Sequence, residues 1–158
     1  MIDSGFLETL HSFIVRAKAA AYVGDGQPAQ ACRPGSLDLK FSDGNWSYLD
    51  SYFGGRDFLG EEVVYFKDKP VWAMNYYGSI LLPDLITPEQ AGHIIKASLS
   101  LLYTEKRFLG GFTHTEGEYD YNDTNEGDPA RFKGKETIVR QGRVAYELVY
   151  HGGLVKDD

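Results

Sequence analysis

Two glutamates are the strongest candidates for the charged groups of a site. Glu62 and Glu136 each lie four residues after a phenylalanine and two after a glycine, and each begins an apolar segment. Burial among aromatic side chains raises the pKa of a carboxyl group unless a cation neutralises it. Such a group could act as a general acid or base, or as the counter-charge of a cationic ligand. The alternative is an internal salt bridge, for example between Glu62 and Arg56.

Aromatic residues are concentrated in residues 46–77, which contain ten of the 22 in the chain. Because aromatic residues favour strands, one interpretation is a well-packed sheet. The other is a pocket with an aromatic wall and a few polar groups that orient a ligand. Asn75 favours the pocket, since a buried amide among aromatic neighbours needs hydrogen-bond partners.

A ligand-binding site built from this segment and its second-half equivalents would combine rings with polar groups. Its candidate residues are Asp50, Tyr52, Arg56, Glu62, Trp72, Asn75, Tyr76, Glu136 and Tyr146. The rings would form apolar walls, and the glutamates would supply charge. Asn75 would form hydrogen bonds, and Arg56 would either bind an anion or clamp Glu62.

Patterns that indicate metal binding or a nucleophile are weak. His114, Glu116 and Glu118 share one face of a predicted strand and could hold a divalent ion, but such alternation is common in exposed strands. The only cysteine, Cys32, lies in a glycine- and proline-rich loop without a nearby histidine, which indicates an ordinary thiol. The sequence therefore predicts neither a metal site nor a cofactor, and it assigns no catalytic residue.

Length and composition place these residues in one domain, residues 1–158. The chain is 42% hydrophobic and 25% charged, which is typical of a globular protein. Its net charge of −7 argues against direct nucleic-acid binding, because such proteins usually carry a basic surplus. The N-terminus lacks the pattern of a signal peptide, and no apolar run approaches the ~20 residues that span a bilayer. We therefore expect a cytoplasmic protein without a membrane partner.

Periodicity predicts the elements that position the candidate residues. Helical spacing predicts a helix over residues 4–22, and residues 87–90 (Thr-Pro-Glu-Gln) carry the capping pattern that begins a second helix. Alternation predicts four strands between residues 37 and 78. The predicted strands of the second half are residues 112–121, 132–140 and 143–151. Residues 114–128 carry six carboxylates and no lysine or arginine, which indicates a solvated acidic loop.

A shift of 74 residues partly superimposes the two halves of the chain. The identical pairs are Phe58 and Phe132, Gly60 and Gly134, Glu62 and Glu136, Tyr76 and Tyr150, and Gly78 and Gly152. This match predicts pseudo-repeats 4–82 and 87–155, although two amphipathic hairpins can share a pattern by chance. We expect an α+β fold in which two helices pack on an antiparallel β-sheet, with a site in the cleft between the halves.

Five segments carry a resemblance to a known family: residues 50–55, 58–65 and 70–78, and the second signature in 128–138 and 146–153. They resemble a bacterial domain family of unknown function, whose members occur alone or fused behind XRE-type helix-turn-helix regulator domains. The resemblance covers nearly the whole chain and implies a sensing role rather than a reaction. At the level of architecture, the chain also resembles the duplicated effector-binding domains of drug-sensing regulators, which hold cationic ligands with aromatic residues and a glutamate.

Three functional hypotheses follow. The first is a small-molecule binding or sensor module with an aromatic and acidic pocket for a cationic or aromatic ligand. The second is an enzyme, a hydrolase or isomerase, that uses Glu62 or Glu136 as general acid or base together with a tyrosine or Asp50. The third is a protein-interaction module with an exposed aromatic patch. The chain could also form a homodimer.

Overall fold

The described residues, 4–24 and 26–157 of a computed structural model, form two α-helices and nine strands. Helix α1 is Ser4–Lys18 and continues into a π-helical turn, Ala19–Val23, and helix α2 is Pro88–Thr104. The strands are β1 Gln27–Ala29, β2 Leu37–Asp43, β3 Trp46–Gly54, β4 Asp57–Phe66, β5 Lys69–Ile80, β6 Phe112–Glu116, β7 Tyr119–Asp128, β8 Arg131–Arg140 and β9 Arg143–Leu154.

Strands dominate this architecture, since they contain 51% of the described residues and the helices contain 24%. The expected α+β fold, defined by two helices packed on a sheet, is therefore wrong, and the chain has a sheet-dominated fold. The expected and observed strand contents differ largely in a segment whose acidic composition made it resemble a loop. Residues 114–128 form the end of β6 and all of β7 instead of a solvated loop, and Asp123 within them is buried. Successive side chains of a strand point to opposite faces, so an acidic strand does not expose every carboxylate.

All the described strands join one antiparallel sheet in the order β1-β2-β3-β4-β5-β9-β8-β7-β6. Strands β2 to β5 form one meander and β6 to β9 form another, and the two join along β5 and β9. In this junction Trp72 lies opposite Leu154, and Ile80 lies opposite Tyr146. Adding 74 to either β5 residue gives the partner of the other.

One further feature recurs at the same offset of 74. The pairing of β4 with β5 is irregular between Val64 and Tyr65, and the pairing of β8 with β9 is irregular between Ile138 and Val139. Internal duplication stays a prediction, and these matching registers support it.

The helices and one face of the sheet enclose the hydrophobic core. The predicted start of α2 is confirmed, because the Thr87 side chain accepts a hydrogen bond from the Gln90 N–H and the Gln90 side chain accepts one from the Thr87 N–H. On β5 the side chains alternate, so Tyr76 is buried on the core side while Asn75 and Tyr77 are exposed on the other. Neither helix of the described part of the chain is long and apolar enough to cross a membrane.

Candidate functional site

Four buried carboxyl groups lie on the helix-covered face of the sheet, two in each meander. Asp50 on β3 lies directly opposite Glu62 on β4, and Asp123 on β7 lies opposite Glu136 on β8. All four residues are between 1% and 7% exposed. Directly opposed residues have Cβ atoms about 5 Å apart, so each pair brings two acidic groups together in a poorly hydrated environment.

Lys18, the last residue of α1, is the only buried lysine or arginine among the residues that the structure describes. Its Nζ lies 2.6 Å from Oε2 of Glu62, and both side chains are almost fully buried. The ammonium also lies 3.3 Å from Sδ of Met74 and 5.6 Å from the centre of the Phe108 ring. The cluster therefore contains one cation and four acidic groups. Its net charge is negative whenever all four carboxyl groups are ionised.

Tyrosines supply the other polar contacts of the carboxyl groups. Tyr76 donates to Oδ1 of Asp50 at 2.7 Å, and Tyr150 donates to Oδ1 of Asp123 at 2.8 Å. Tyr121 donates to Oε2 of Glu136. The two aspartates thus have equivalent tyrosine partners in the two meanders.

Glycines make room for two of these tyrosines. A Cβ atom at Gly60 would overlap the hydroxyl of Tyr76, and a Cβ atom at Gly134 would overlap the ring of Tyr150. The recurrence of glycine at these two positions therefore reflects a ring that packs flat against a strand in each half.

Burial raises the pKa of Asp50 to about 7, and repulsion from Glu62 adds to this effect. Burial also raises the pKa of Glu136 to about 7 and raises the pKa of Asp123 above its usual value. Hydrogen bonds from the tyrosines and the charge of Lys18 oppose these shifts without cancelling them. Near neutral pH the cluster therefore holds protons that an added cation would displace.

Two cavities adjoin the carboxyl cluster. The inner one has a volume of about 60 Å³ and is lined by Lys18, three of the four carboxyl groups and mostly aromatic side chains. This volume suits a few water molecules. The outer one is an open groove of about 530 Å³. Tyr22 and Tyr76 line both cavities, so these rings lie between the inner chamber and the groove.

One carboxyl group of the cluster, that of Asp50, lines the groove. Its other lining residues are Ala21, Tyr22, Gly24, Gly26, Leu37, Leu39, Tyr52, Gly54, Gly55, Phe58, Tyr76, Gly92 and Lys96. Oδ1 of Asp50 accepts the Tyr76 hydrogen bond, whereas Oδ2 has no hydrogen-bond partner among the described residues. The arrangement is an acidic group in the wall of a largely apolar and aromatic groove, of a size typical of small-molecule sites.

Most of the predicted site residues come together here. Asp50, Glu62, Tyr76 and Glu136 belong to the cluster, and Tyr52 lines the groove. The strand order explains their common position. Strands β3, β4 and β5 are adjacent in the sheet, and β5 and β8 lie on either side of β9.

Two predicted aromatic residues pack in the core beside the site instead of lining either cavity. Trp72 is fully buried, stacks on Phe132 and donates its ring N–H to the Pro129 carbonyl at 2.9 Å. Tyr146 is also buried, stacks on Phe58, and has a hydroxyl without a partner among the described residues.

Two other predicted residues lie outside the site. Asn75 is exposed on the opposite face of the sheet, so the argument from a buried amide is wrong. Arg56 is exposed in the turn between β3 and β4 and does not clamp Glu62, whose partner is Lys18. The helical pattern contained the signal for Lys18, because this lysine follows Ile14 by one turn within the apolar stripe.

Asp123 was missed because its offset from Asp50 is 73 rather than 74. The difference of one residue comes from the turns that precede β4 and β8, and it hides the match in an ungapped comparison. Tyr150 did match Tyr76 in the shifted sequence, but its role depends on Asp123.

Two of the histidines lie beside a carboxylate near the surface, and the cysteine is exposed. His114 and His93 both lie near Glu116, with Nε2 to carboxylate distances of 3.2 and 2.9 Å. Glu118 instead pairs with Arg140. In the part of the chain that the structure describes, no group of three or more His, Cys, Asp or Glu residues is arranged to hold a metal ion. Cys32 is exposed.

Comparison with known proteins identifies a family model but no characterised relative. The model of a domain of unknown function (DUF5680) matches residues 50–155, about two thirds of the chain. This span contains all four buried carboxyl groups and ends before the last described residues, whereas Lys18 and Tyr22 precede it. No curated protein and no solved structure matches the chain.

Proposed function

The chain belongs to the DUF5680 domain family, and we propose that it is a binding module for small organic cations. The observation that carries this proposal is the position of Asp50. It is a buried carboxyl group with one oxygen that has no partner among the described residues, and it lines an open groove.

Charge balance favours a cationic group over an anionic or neutral one. Asp50 lies opposite Glu62, whose nearest cation is already Lys18. An ammonium or guanidinium group beside Asp50 would allow that carboxyl group to ionise without adding an unpaired buried charge. An anionic group at the same place would add to the repulsion.

The lining of the groove favours an apolar or aromatic body. Tyr52, Phe58 and Tyr76 present rings, and Leu39 adds an aliphatic surface. Aromatic rings attract cations through their faces, with contributions of about 0.5–2 kcal/mol for each contact. A ligand with a cationic end and a ring would use both kinds of contact.

We propose that the binding of a cation serves a sensing role. The sequence resemblance to a bacterial family that occurs alone or behind XRE-type helix-turn-helix domains supports this role, and we extend the proposal to a cytoplasmic, bacterial setting. In such a protein, binding of the cation in the groove would signal its presence to a regulator.

Thermal denaturation with matched probes tests the proposal. Benzylamine and tryptamine are each compared with the uncharged alcohol of the same shape, benzyl alcohol and tryptophol. At ten times Kd, binding is expected to raise the Tm by about 3–6 °C. The alcohols should give a much smaller rise.

Matched variants locate the binding site. Asp50→Asn should abolish the rise with the amines, because the amide retains an acceptor for Tyr76 but has no charge. Asp123→Asn removes the equivalent carboxylate of the other meander and should leave the rise unchanged. Equal responses to amines and alcohols, or an undiminished response in Asp50→Asn, would refute the proposal.

The enzymatic alternative receives less support from the contacts. Glu62 is paired with Lys18, and Glu136 accepts a hydrogen bond from Tyr121. General acid–base catalysis requires a group within hydrogen-bond reach of the substrate, and neither glutamate lines the outer groove.

The interaction alternative is favoured by one observation on the uncovered face of the sheet. Leu59, Tyr77 and Val149 lie opposite one another across β4, β5 and β9, and each is about half exposed. This row would suit a protein partner or a second copy of the chain. Sedimentation of the wild type against Tyr77→Lys tests self-association, and a monomer at every concentration would exclude the homodimer.

A further inference from the structure

A lysine lies where a site for simple cations does not need one. Lys96 on α2 lines the same groove as Asp50. It is exposed and forms no ion pair with any described residue. A positive charge on the open side of a groove opposes the approach of a ligand that is only cationic.

The helix surface next to this lysine is bare. Gly92 precedes Lys96 by one turn and lines the groove too. A Cβ atom at Gly92 would meet no other atom within 4 Å, so the space beside the lysine is open. The lining of the groove thus combines a buried carboxyl group, aromatic rings, and an exposed ammonium group with open space beside it.

From this arrangement we infer that the ligand of the groove is zwitterionic. Its cationic group meets Asp50, its anionic group, a carboxylate or a similar acid, meets Lys96, and an apolar or aromatic spacer joins them. This inference rests on the proposed function, since it adds a second recognition point to the same groove. An ion pair at an exposed lysine contributes modestly, so Lys96 selects among cations more than it binds them.

Calorimetric titration with matched probes tests the inference. The zwitterion 4-(aminomethyl)benzoate is compared with 4-(aminomethyl)benzamide, which has the same shape and ammonium group but no acid. The pair 3-(4-aminomethylphenyl)propanoate and its amide covers a longer spacer. In the wild type, at least one acid should bind about three to five times more tightly than its amide. This preference should shrink as salt is added, because the lysine is exposed.

Variants of Lys96 identify the source of the preference. Lys96→Met keeps a good helix former at an exposed position and should make acid and amide bind equally. Lys96→Glu should reverse the preference. In both variants the amide should still bind and should still require Asp50.

The outcomes separate this inference from the proposed function. If both amides bind through Asp50 but the acids are not preferred, or are preferred equally in Lys96→Met, the zwitterionic ligand is wrong and the cation site stands. If the amides bind equally well to Asp50→Asn, or no probe binds at all, both proposals fail. Gly92→Phe, which fills the open space, should weaken all four probes, and unchanged binding would place them outside the groove.

Discussion

The two meanders contain equivalent buried carboxyl groups, but the hydrogen-bond partners of their aspartates differ. In the second half, Asp123 accepts hydrogen bonds from Tyr150 and from Asn125, whose amide also contacts the Tyr150 hydroxyl. In the first half, Asp50 accepts only from Tyr76, and the position equivalent to Asn125 is Tyr52, which lines the groove. Both oxygens of Asp123 are therefore satisfied within the protein, whereas one oxygen of Asp50 has no partner among the described residues.

The segments that follow the helices produce this difference. After α2, residues 105–111 lead directly into β6 and place Phe108 against Trp72 and Phe132. Phe108 lines the inner cavity with Asp123 and Glu136, and none of these three residues lines the open groove. After α1, a π-helical turn and a longer connection lead to β2, and the groove opens beside Tyr22. A π-helical turn is often found at functional sites. The comparison teaches that the open half is the one to test for binding.

The largest expected effect comes from the cation that only one half provides. The Lys18→Met variant leaves Glu62 without its partner and should lower the free energy of unfolding by about 3–5 kcal/mol. The loss should be greater at pH 8 than at pH 5, because Asp50 and Glu136, whose pKa values are raised to about 7, are protonated at pH 5 and then do not repel the unpaired Glu62. Denaturant unfolding at the two pH values measures this difference.

A second substitution checks that the effect belongs to the pair. The double variant Lys18→Met, Glu62→Gln removes both charges and should recover part of the lost stability. A double variant no more stable than Lys18→Met would indicate that packing around the lysine, rather than the ion pair, dominates.

The next effect concerns the dependence of stability on pH. The folded-state pKa of Asp50 is raised to about 7, so the stability that its protonation contributes is complete below about pH 4 and is lost as the pH rises through 7. Relative to Asp50→Asn, the wild type should lose up to about 1.4 kcal/mol for each pH unit within that window. Above the window the difference should be constant.

Unfolding curves of both proteins from pH 4 to pH 8 measure this difference. The comparison with Asp50→Asn cancels the titration of groups that do not interact with Asp50, among them His11, whose pKa burial lowers. Parallel pH profiles of the two proteins would contradict a raised pKa at Asp50.

Smaller effects should be the same in both halves. The Gly60→Ala and Gly134→Ala variants each force a methyl group into a tyrosine and should cost about 1–3 kcal/mol. Chemical denaturation measures both. A large loss in one variant and none in the other would show that the two tyrosines are not equivalently packed.

The smallest effect is a gain in stability. The Gly92→Ala variant adds a methyl group to open space in a helix, so it should stabilise the protein by about 0.5–1 kcal/mol. A loss of stability would indicate that the added methyl group clashes with a neighbouring atom, contrary to the open space at Gly92.

Sequence patterns predict local structure in this chain better than they predict the site. The capping residues at Thr87 and Gln90 and the apolar stripe of α1 depend on neighbours in sequence, and both predictions were correct. The acidic run was misread because charge hid the alternation of β7. Lys18 and Glu62 are 44 residues apart, so only the folded chain shows that they pair.

The relation between the two halves was only partly visible. The shift of 74 matches Glu62 with Glu136, but it misses Asp50 with Asp123 by one residue. The sequence likewise does not distinguish the open half from the closed half, because the groove depends on how two connections of different length pack against the helices. The prediction for Asn75 was wrong because the strand register was not known. A shift of one residue along a strand moves a side chain to the opposite face of the sheet.

The ionisation of Asp50 tests the central claim most directly. Carbon-13 NMR of the labelled side-chain carboxyl groups, assigned with Asp50→Asn, gives its pKa with and without benzylamine. We predict a pKa near 7 in the free protein and a marked fall when benzylamine binds, because the ammonium favours the ionised form. A pKa near 4 in the free protein, or one that benzylamine leaves unchanged, would contradict a cation site at Asp50.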